Sequence, residues 1–113
     1  MTAPRFDELI HQSTRLSLVA ILAAADWVDF RFLREQLALS ESALSKQLSA
    51  LEQAGYLRIE RPLREHRRRV RAQLTPQGLE AYSGHVAALR AIVGMEDVNV
   101  DAPRGLSRVE SGA

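Results

Sequence analysis

Leu39 to Thr75 is the stretch that most restricts what this chain can become. It starts with helical periodicity and ends in two alternating runs. From Glu41 to Ala54, Leu44, Leu48 and Leu51 recur at four- and three-residue steps. That spacing puts them within about 60° of one another on a helical wheel, as one buried stripe. Ser40 precedes the segment as an N-cap, and Glu41 falls in the first turn, where a carboxylate favours the helix dipole. Gly55 is the stop, because glycine takes the left-handed C′ conformation without strain. Tyr56–Arg61 and Arg69–Leu74 then alternate: Leu57, Ile59 and Arg61 share one parity, and Val70, Ala72 and Leu74 share a face. Two such runs joined by a short loop, here Pro62 to Arg68, predict a hairpin.

The same stretch holds the chain's charge. Between Arg58 and Arg71 seven arginines (58, 61, 64, 67, 68, 69 and 71) stand against Glu60 and Glu65, a balance of +5 in a chain of net charge +1. The remainder is therefore acidic. A compact cationic patch next to a short helix points to a phosphate backbone as partner. The bland alternative is a solvated loop, but clustered like charge costs stability.

Around this centre the pattern is helical. Phe6 to Ala25 carries apolar residues at three- and four-residue steps, and Ser13 or Thr14 could cap a second helix within it. Trp27 to Phe30 suits a brief strand. Phe32 to Leu39 suits another helical turn or two, with Phe32, Leu33 and Leu37 inward and Leu39 a further candidate. Thr75-Pro76 opens the last helix: threonine caps, and proline lacks only a donor that would be orphaned there. That helix runs to about Met95, with Leu79, Tyr82, Val86, Leu89 and Val93 as an apolar stripe. The expected fold is mainly α with a small β-hairpin, in the order α-(β)-α-α-β-β-α: a helix-turn-helix followed by a wing. Residues 1–95 form the expected domain. Residues 96–113, poor in large apolar groups, read as a flexible tail.

Composition excludes several functions. With 113 residues the chain suits one domain and a modest core. It has no cysteine, so disulfides, thiolate metal sites and thiol redox chemistry are out. No apolar run approaches the roughly 18 residues of a membrane span, and the N-terminus lacks the order of a signal peptide. The expected compartment is the cytoplasm. His11, His66 and His85 are scattered and read as partly exposed polar residues, with no metal site. No strained nucleophile turn or phosphate-cradling glycine loop appears, so an enzyme is not expected.

The outward side of the Glu41–Ala54 helix carries Ser42, Lys46, Ser49 and Gln53, with Ala43 and Ala50 beside them and Ser45 on the shoulder. Such short groups let a helix approach a major groove: serine bonds phosphates or base edges, and alanine touches a thymine methyl. The alternative is an ordinary solvated face, but such faces usually carry long Glu/Lys pairs, and this one does not. Helix-turn-helix proteins insert the N-terminal half of the reading helix, which ranks Ser42, Ser45, Lys46 and Ser49 above Gln53.

"LALSESALSKQLSALEQAGYLRIER" followed by "RVRAQLTPQGLEAY" resembles winged-helix transcriptional regulators of the MarR and ArsR groups, most of all the short MarR-like ones. "STRLSLVAILAAADWVDFRFLREQL" extends the resemblance to about residues 8–93. It implies a homodimer on a pseudo-palindromic operator in double-stranded DNA, with two reading helices roughly 34 Å apart. Carried over, Ser42, Ala43, Ser45, Lys46 and Ser49 face the groove, and Arg61, Arg64, Arg67, Arg68 and Arg69 form the wing on the backbone or minor groove. This wing departs from many relatives in having Pro62-Leu63 and no glycine at its turn. No cofactor is implied.

The chain has more apolar helix surface than one small core covers, which independently predicts a dimer through Phe6, Leu9, Ile10, Leu79, Tyr82, Val86, Leu89 and Val93; the alternative is that these pack within one subunit. A small-molecule effector would sit near Trp27, Phe30 and Tyr82, although such aromatics more often belong to the core. Without an activation domain the chain more naturally represses. The rival reading is a winged helix used for protein–protein contact, but such domains usually lose the basic wing that this chain keeps.

Overall fold

The structure, a computed structural model, describes residues 3–61 and 70–94. Among these residues eight elements follow one another: α1 (Glu8–His11), α2 (Ser13–Ala23), β1 (Val28–Asp29), α3 (Phe30–Leu37), α4 (Glu41–Gln53), β2 (Leu57–Glu60), β3 (Arg71–Leu74) and α5 (Pro76–Ile92). The strands form one antiparallel sheet in the order β1-β3-β2. Leu57 pairs with Leu74 and Ile59 with Ala72, while Val28 opposes Ala72 from the other side. The predicted hairpin thus gains the short strand as a third member. The helices pack on one face of the sheet around Leu18, Val19, Leu22, Val28, Leu33, Leu44, Leu48, Leu51, Leu57 and Ala72.

Local chemistry sets the helix ends. Phe6–Ala25 does divide in two, but the cap is Gln12 rather than Ser13 or Thr14: its side chain accepts from the Arg15 amide at 2.9 Å. Asp7 caps α1 by accepting from the Ile10 amide at 3.0 Å. Helix α3 begins at Phe30, which takes the inward place expected of Phe32. Phe30, Leu33 and Leu37 then share the core face at i, i+3 and i+7, and Phe32 is turned outward, 47% exposed. Ala38 ends α3 in the left-handed region (φ 54°), and Ala38, Leu39 and Ser40 make a three-residue turn into α4. Ser40 Oγ accepts from the Ala43 amide at 3.1 Å, and Gly55 stops α4 at φ 84°.

Helix α5 is stitched to that stop. Thr75 Oγ1 donates to the Gly55 carbonyl at 2.7 Å and accepts from the Gly78 amide at 3.0 Å, while the Thr75 amide donates to the Tyr56 carbonyl at 2.9 Å. Gly78 lies so close to Tyr56 that a Cβ there would stand 2.2 Å from the Tyr56 oxygen. The side of α5 that faces its own chain is made of Gly78, Gly84, His85 and Ala88. Its larger apolar residues are left half-buried or exposed: Leu79, Ile92 and Val93 are 47%, 68% and 61% exposed.

Candidate nucleic-acid interface

The buried side of α4 is the leucine stripe: Leu44 and Leu51 have no exposed surface and Leu48 almost none. Its opposite side turns Ser42, Ser45, Lys46, Ser49 and Gln53 to solvent, with Ala43 and Ala50 half-buried at the edges. The helix is fixed at both ends, by the Ser40 cap and by the Gly55 stop held from α5. It is also fixed along its flank. Arg15 of α2 donates through Nη1 to Gln47 Oε1 at 2.9 Å and through Nε to the Leu9 carbonyl at 2.6 Å. A helix restrained at these points presents its small polar face at a set angle.

Arg58, Arg61 and Arg71 have partners within the fold. Arg58 Nη1 donates to Gln73 Oε1 at 2.9 Å, whose amide in turn reaches Asp26. Arg61 lies 3.5 Å from Glu52 of α4, both half-exposed. Arg71 bonds Glu60 at 2.6 Å and stacks over Trp27, 4.8 Å from the ring centroid. Exposed pairs of this kind contribute under about 1 kcal/mol, so they shape the hairpin base more than they stabilise it. The other four expected wing residues, Arg64, Arg67, Arg68 and Arg69, lie outside the described residues, as do the loop 62–68, His66 and the expected tail. The sequence did not mark Arg58 and Arg71 as partnered, because the strand register sets which residue each one faces across the sheet.

Two readings need correcting. Ile10, expected at a dimer interface, has no exposed surface. Helix α1 folds back on α2 and α5 and inserts Ile10 into the chain's own interior. His85, expected to be partly exposed, is fully buried. Of the stripe 79-82-86-89-93, Tyr82 packs partly against the core, while the fully buried side of α5 passes through His85. His85 Nδ1 accepts from the Asp7 amide at 2.9 Å, and its Nε2 lies 3.3 Å from His11 Nδ1. Burial, and then the neighbouring His11, hold the His85 imidazole below the usual histidine range. Asp7 also accepts from the Tyr56 hydroxyl at 2.5 Å. Burial and that carboxylate push the Tyr56 phenol up to about 12.

Among the described residues no three His, Asp or Glu side chains converge to hold a metal ion. A shallow open groove of about 380 Å³ runs between the end of α2, the sheet and the start of α5. Apolar Leu22, Leu74 and Leu79 and charged Asp26 and Arg58 are among the residues that line it. Trp27, Phe30 and Tyr82 do not line this groove: Trp27 lies under Arg71, and the other two pack against the core.

Two helices joined by a three-residue turn, then an arginine-bearing hairpin on a three-stranded sheet, define a winged helix. The chain belongs to the winged helix DNA-binding domain family, which matches it over residues 14–93. No curated protein matches the sequence. Among solved structures, a transcriptional regulator homologue from Pyrococcus horikoshii is similar at 20% identity and a TM-score of 0.73, over 81% of this chain and 91% of that one. The transcriptional regulator BldR from Sulfolobus solfataricus is similar at 21% and 0.61, over 88% and 73%. The zinc-responsive MarR family member ZitR from Lactococcus lactis is similar at 23% and 0.56, over 88% and 68%. The fold is therefore shared with MarR-type transcriptional regulators. None of the helices described is long and apolar enough to cross a membrane.

Proposed function

We propose that this chain is a sequence-specific, double-stranded-DNA-binding transcriptional regulator, acting in the cytoplasm as a homodimeric repressor rather than as an enzyme. One observation carries the reading. The carboxylate-free centre of the outer face of α4, Ser42, Ser45, Lys46 and Ser49, is held rigidly and is followed within a few residues by the arginine hairpin. Helix α4 enters the major groove, where Ser42, Ala43, Ser45, Lys46 and Ser49 meet base edges and phosphates. Arg61, Arg64, Arg67, Arg68 and Arg69 lie along the flanking backbone or minor groove. Family membership supports DNA as the partner.

The dimer joins through the terminal helices. The outward placement of Leu79, Ile92 and Val93, together with half-exposed Phe6, supports this, with Leu9, Tyr82, Val86 and Leu89 at the margin. Two subunits then set their reading helices about one helical turn apart on a pseudo-palindromic operator. An effector, where one acts, has the groove beside Leu79 as its opening, next to the same interface.

The test is to replace Ser42 or Ser49 by leucine. Both positions are exposed, so folding should be unchanged, but the bulk holds α4 out of the groove. The preference for operator over unrelated DNA should disappear in each variant. Retained preference in both, at parental stability, would put the reading face elsewhere.

A further inference from the structure

The DNA-reading role makes no use of the polar cluster where α1 meets α5, and its hydrogen-bonding logic allows one arrangement only. His85 Nδ1 faces the Asp7 amide, which can only donate, so Nδ1 is an acceptor. A neutral imidazole with Nδ1 bare carries its proton on Nε2, so Nε2 donates to His11 Nδ1 across 3.3 Å. His11 Nδ1 is then the acceptor of that bond, and His85 is locked as a neutral ring. Phe6 packs against both, with ring centroids 4.7 and 4.8 Å away.

A proton has no place to go without breaking a bond. On His85 Nδ1 it would point at the Asp7 N–H; on His11 Nδ1 it would point at the His85 Nε2–H. The surroundings set the balance. Asp7 and Glu8 favour the charged ring, while burial and His11 oppose it, and the opposing causes win. Arg5, whose amide donates to the Gly84 carbonyl at 2.9 Å, adds a cation to the same segment. Tyr56 contributes a neutral hydroxyl bonded to Asp7.

The cluster also reaches the candidate reading helix. The Asp7 whose amide holds His85 accepts, through its carboxylate, from Tyr56, the residue after the Gly55 stop of α4. The Leu9 carbonyl is held by Arg15, which also holds Gln47 of α4. Helix α1 is thus pinned to α5 on one side and to both the end and the flank of α4 on the other.

We propose that the His85–His11 pair is a proton-operated latch: uptake of a proton releases α1 from α5 and, through Asp7 and Tyr56, loosens the restraint on α4. Above the ordinary histidine range the latch is closed. As pH falls below about 6.5 the unfolded chain takes up protons that the folded one resists, so stability declines with acidification. The latch makes the domain most rigid in neutral to mildly alkaline conditions.

The test needs no DNA, so its outcome is separate from that of the DNA-binding reading. The full chain and its His85→Gln variant are melted across about pH 7.5 to 5.5, a window that leaves most carboxylates ionised. Glutamine can accept from the Asp7 amide and donate to His11 without titrating. The parent should lose several degrees more than the variant over this window, and the comparison subtracts any effect of His66. Imidazole ¹⁵N shifts of the parent should show His85 Nδ1 bare at neutral pH. The Tyr56 amide should shift with the His85 titration. If His85→Gln does not fold, His11→Gln, which keeps an acceptor for His85, takes its place, and the ¹⁵N spectrum of the parent decides independently. Parallel melting of parent and variant, a proton on His85 Nδ1 at neutral pH, or a Tyr56 amide indifferent to the titration would each overturn the latch.

Discussion

Alanine at Gly78 should destabilise this domain by about 2–3 kcal/mol, although alanine is the better helix former. The new Cβ would lie 2.2 Å from the Tyr56 carbonyl oxygen and 3.0 Å from the Tyr56 carbonyl carbon and Cα. A carbon next to a carbonyl oxygen rests at about 3.3 Å, so the two segments must separate by about 1 Å. If they hold, overpacking costs up to about 3 kcal/mol. If they part, the Thr75 bonds to the Tyr56 and Gly55 carbonyls, at 2.9 and 2.7 Å, are lost at about 1 kcal/mol each, along with local packing. Helix propensity returns only about 1 kcal/mol. A domain of this size should then melt roughly 10–20 °C lower. Gly84 in the same helix is the internal control: its Cβ would meet Ala3 O and Arg5 Cβ at 3.4 Å, an ordinary contact, so Gly84→Ala should be neutral or raise the melting temperature by a few degrees. Thermal melts of both variants in one buffer suffice. Gly78→Ala melting with the parent, or Gly84→Ala proving the worse of the two, would refute the claim that α5 is docked on the end of α4 through Gly78.

Changing Arg64, Arg67 and Arg68 together to alanine should weaken binding to every DNA sequence alike, and each lost phosphate contact should lower the log–log salt slope by roughly 0.9; equal slopes in variant and parent would remove the wing from the backbone. Leu48→Asp should leave no cooperative transition by circular dichroism, because an unpaired buried carboxylate costs several kcal/mol against a small total. The Tyr56 phenol, raised from 10 to about 12, favours its neutral form in the folded state, so the domain should keep this contribution below pH 10 and lose it as pH rises from 10 towards 12. Tyr56→Phe should flatten that alkaline decline, which urea titrations at stepped pH would show.

What could be read from the sequence was what is written locally. Ser40, the 44-48-51 leucines, Gly55 and Thr75-Pro76 each act on neighbours within about one helical turn, so their signals survive without tertiary context. The exposed positions of Ser42, Ser45, Lys46 and Ser49 followed from the same wheel. Phe32 was misplaced because Phe30 and Phe32, two residues apart, compete for one inward slot. The outcome depended on α3 starting at Phe30, straight after its pairing to Val70 across the sheet (Phe30 N to Val70 O, 2.8 Å). His85 was invisible because its partners, Asp7 and His11, lie more than seventy residues away. Gly78 carried no local signal of its own; the reason it must be glycine is a backbone contact with Tyr56.

The most direct test is the affinity of the purified protein for the DNA upstream of its own gene and for a scrambled duplex, at low and at physiological salt. The account predicts tight binding that prefers the upstream duplex and weakens steeply as salt rises. A folded protein that binds neither duplex at low salt would contradict it, and would turn attention to the apolar face of α5 as a surface for another protein.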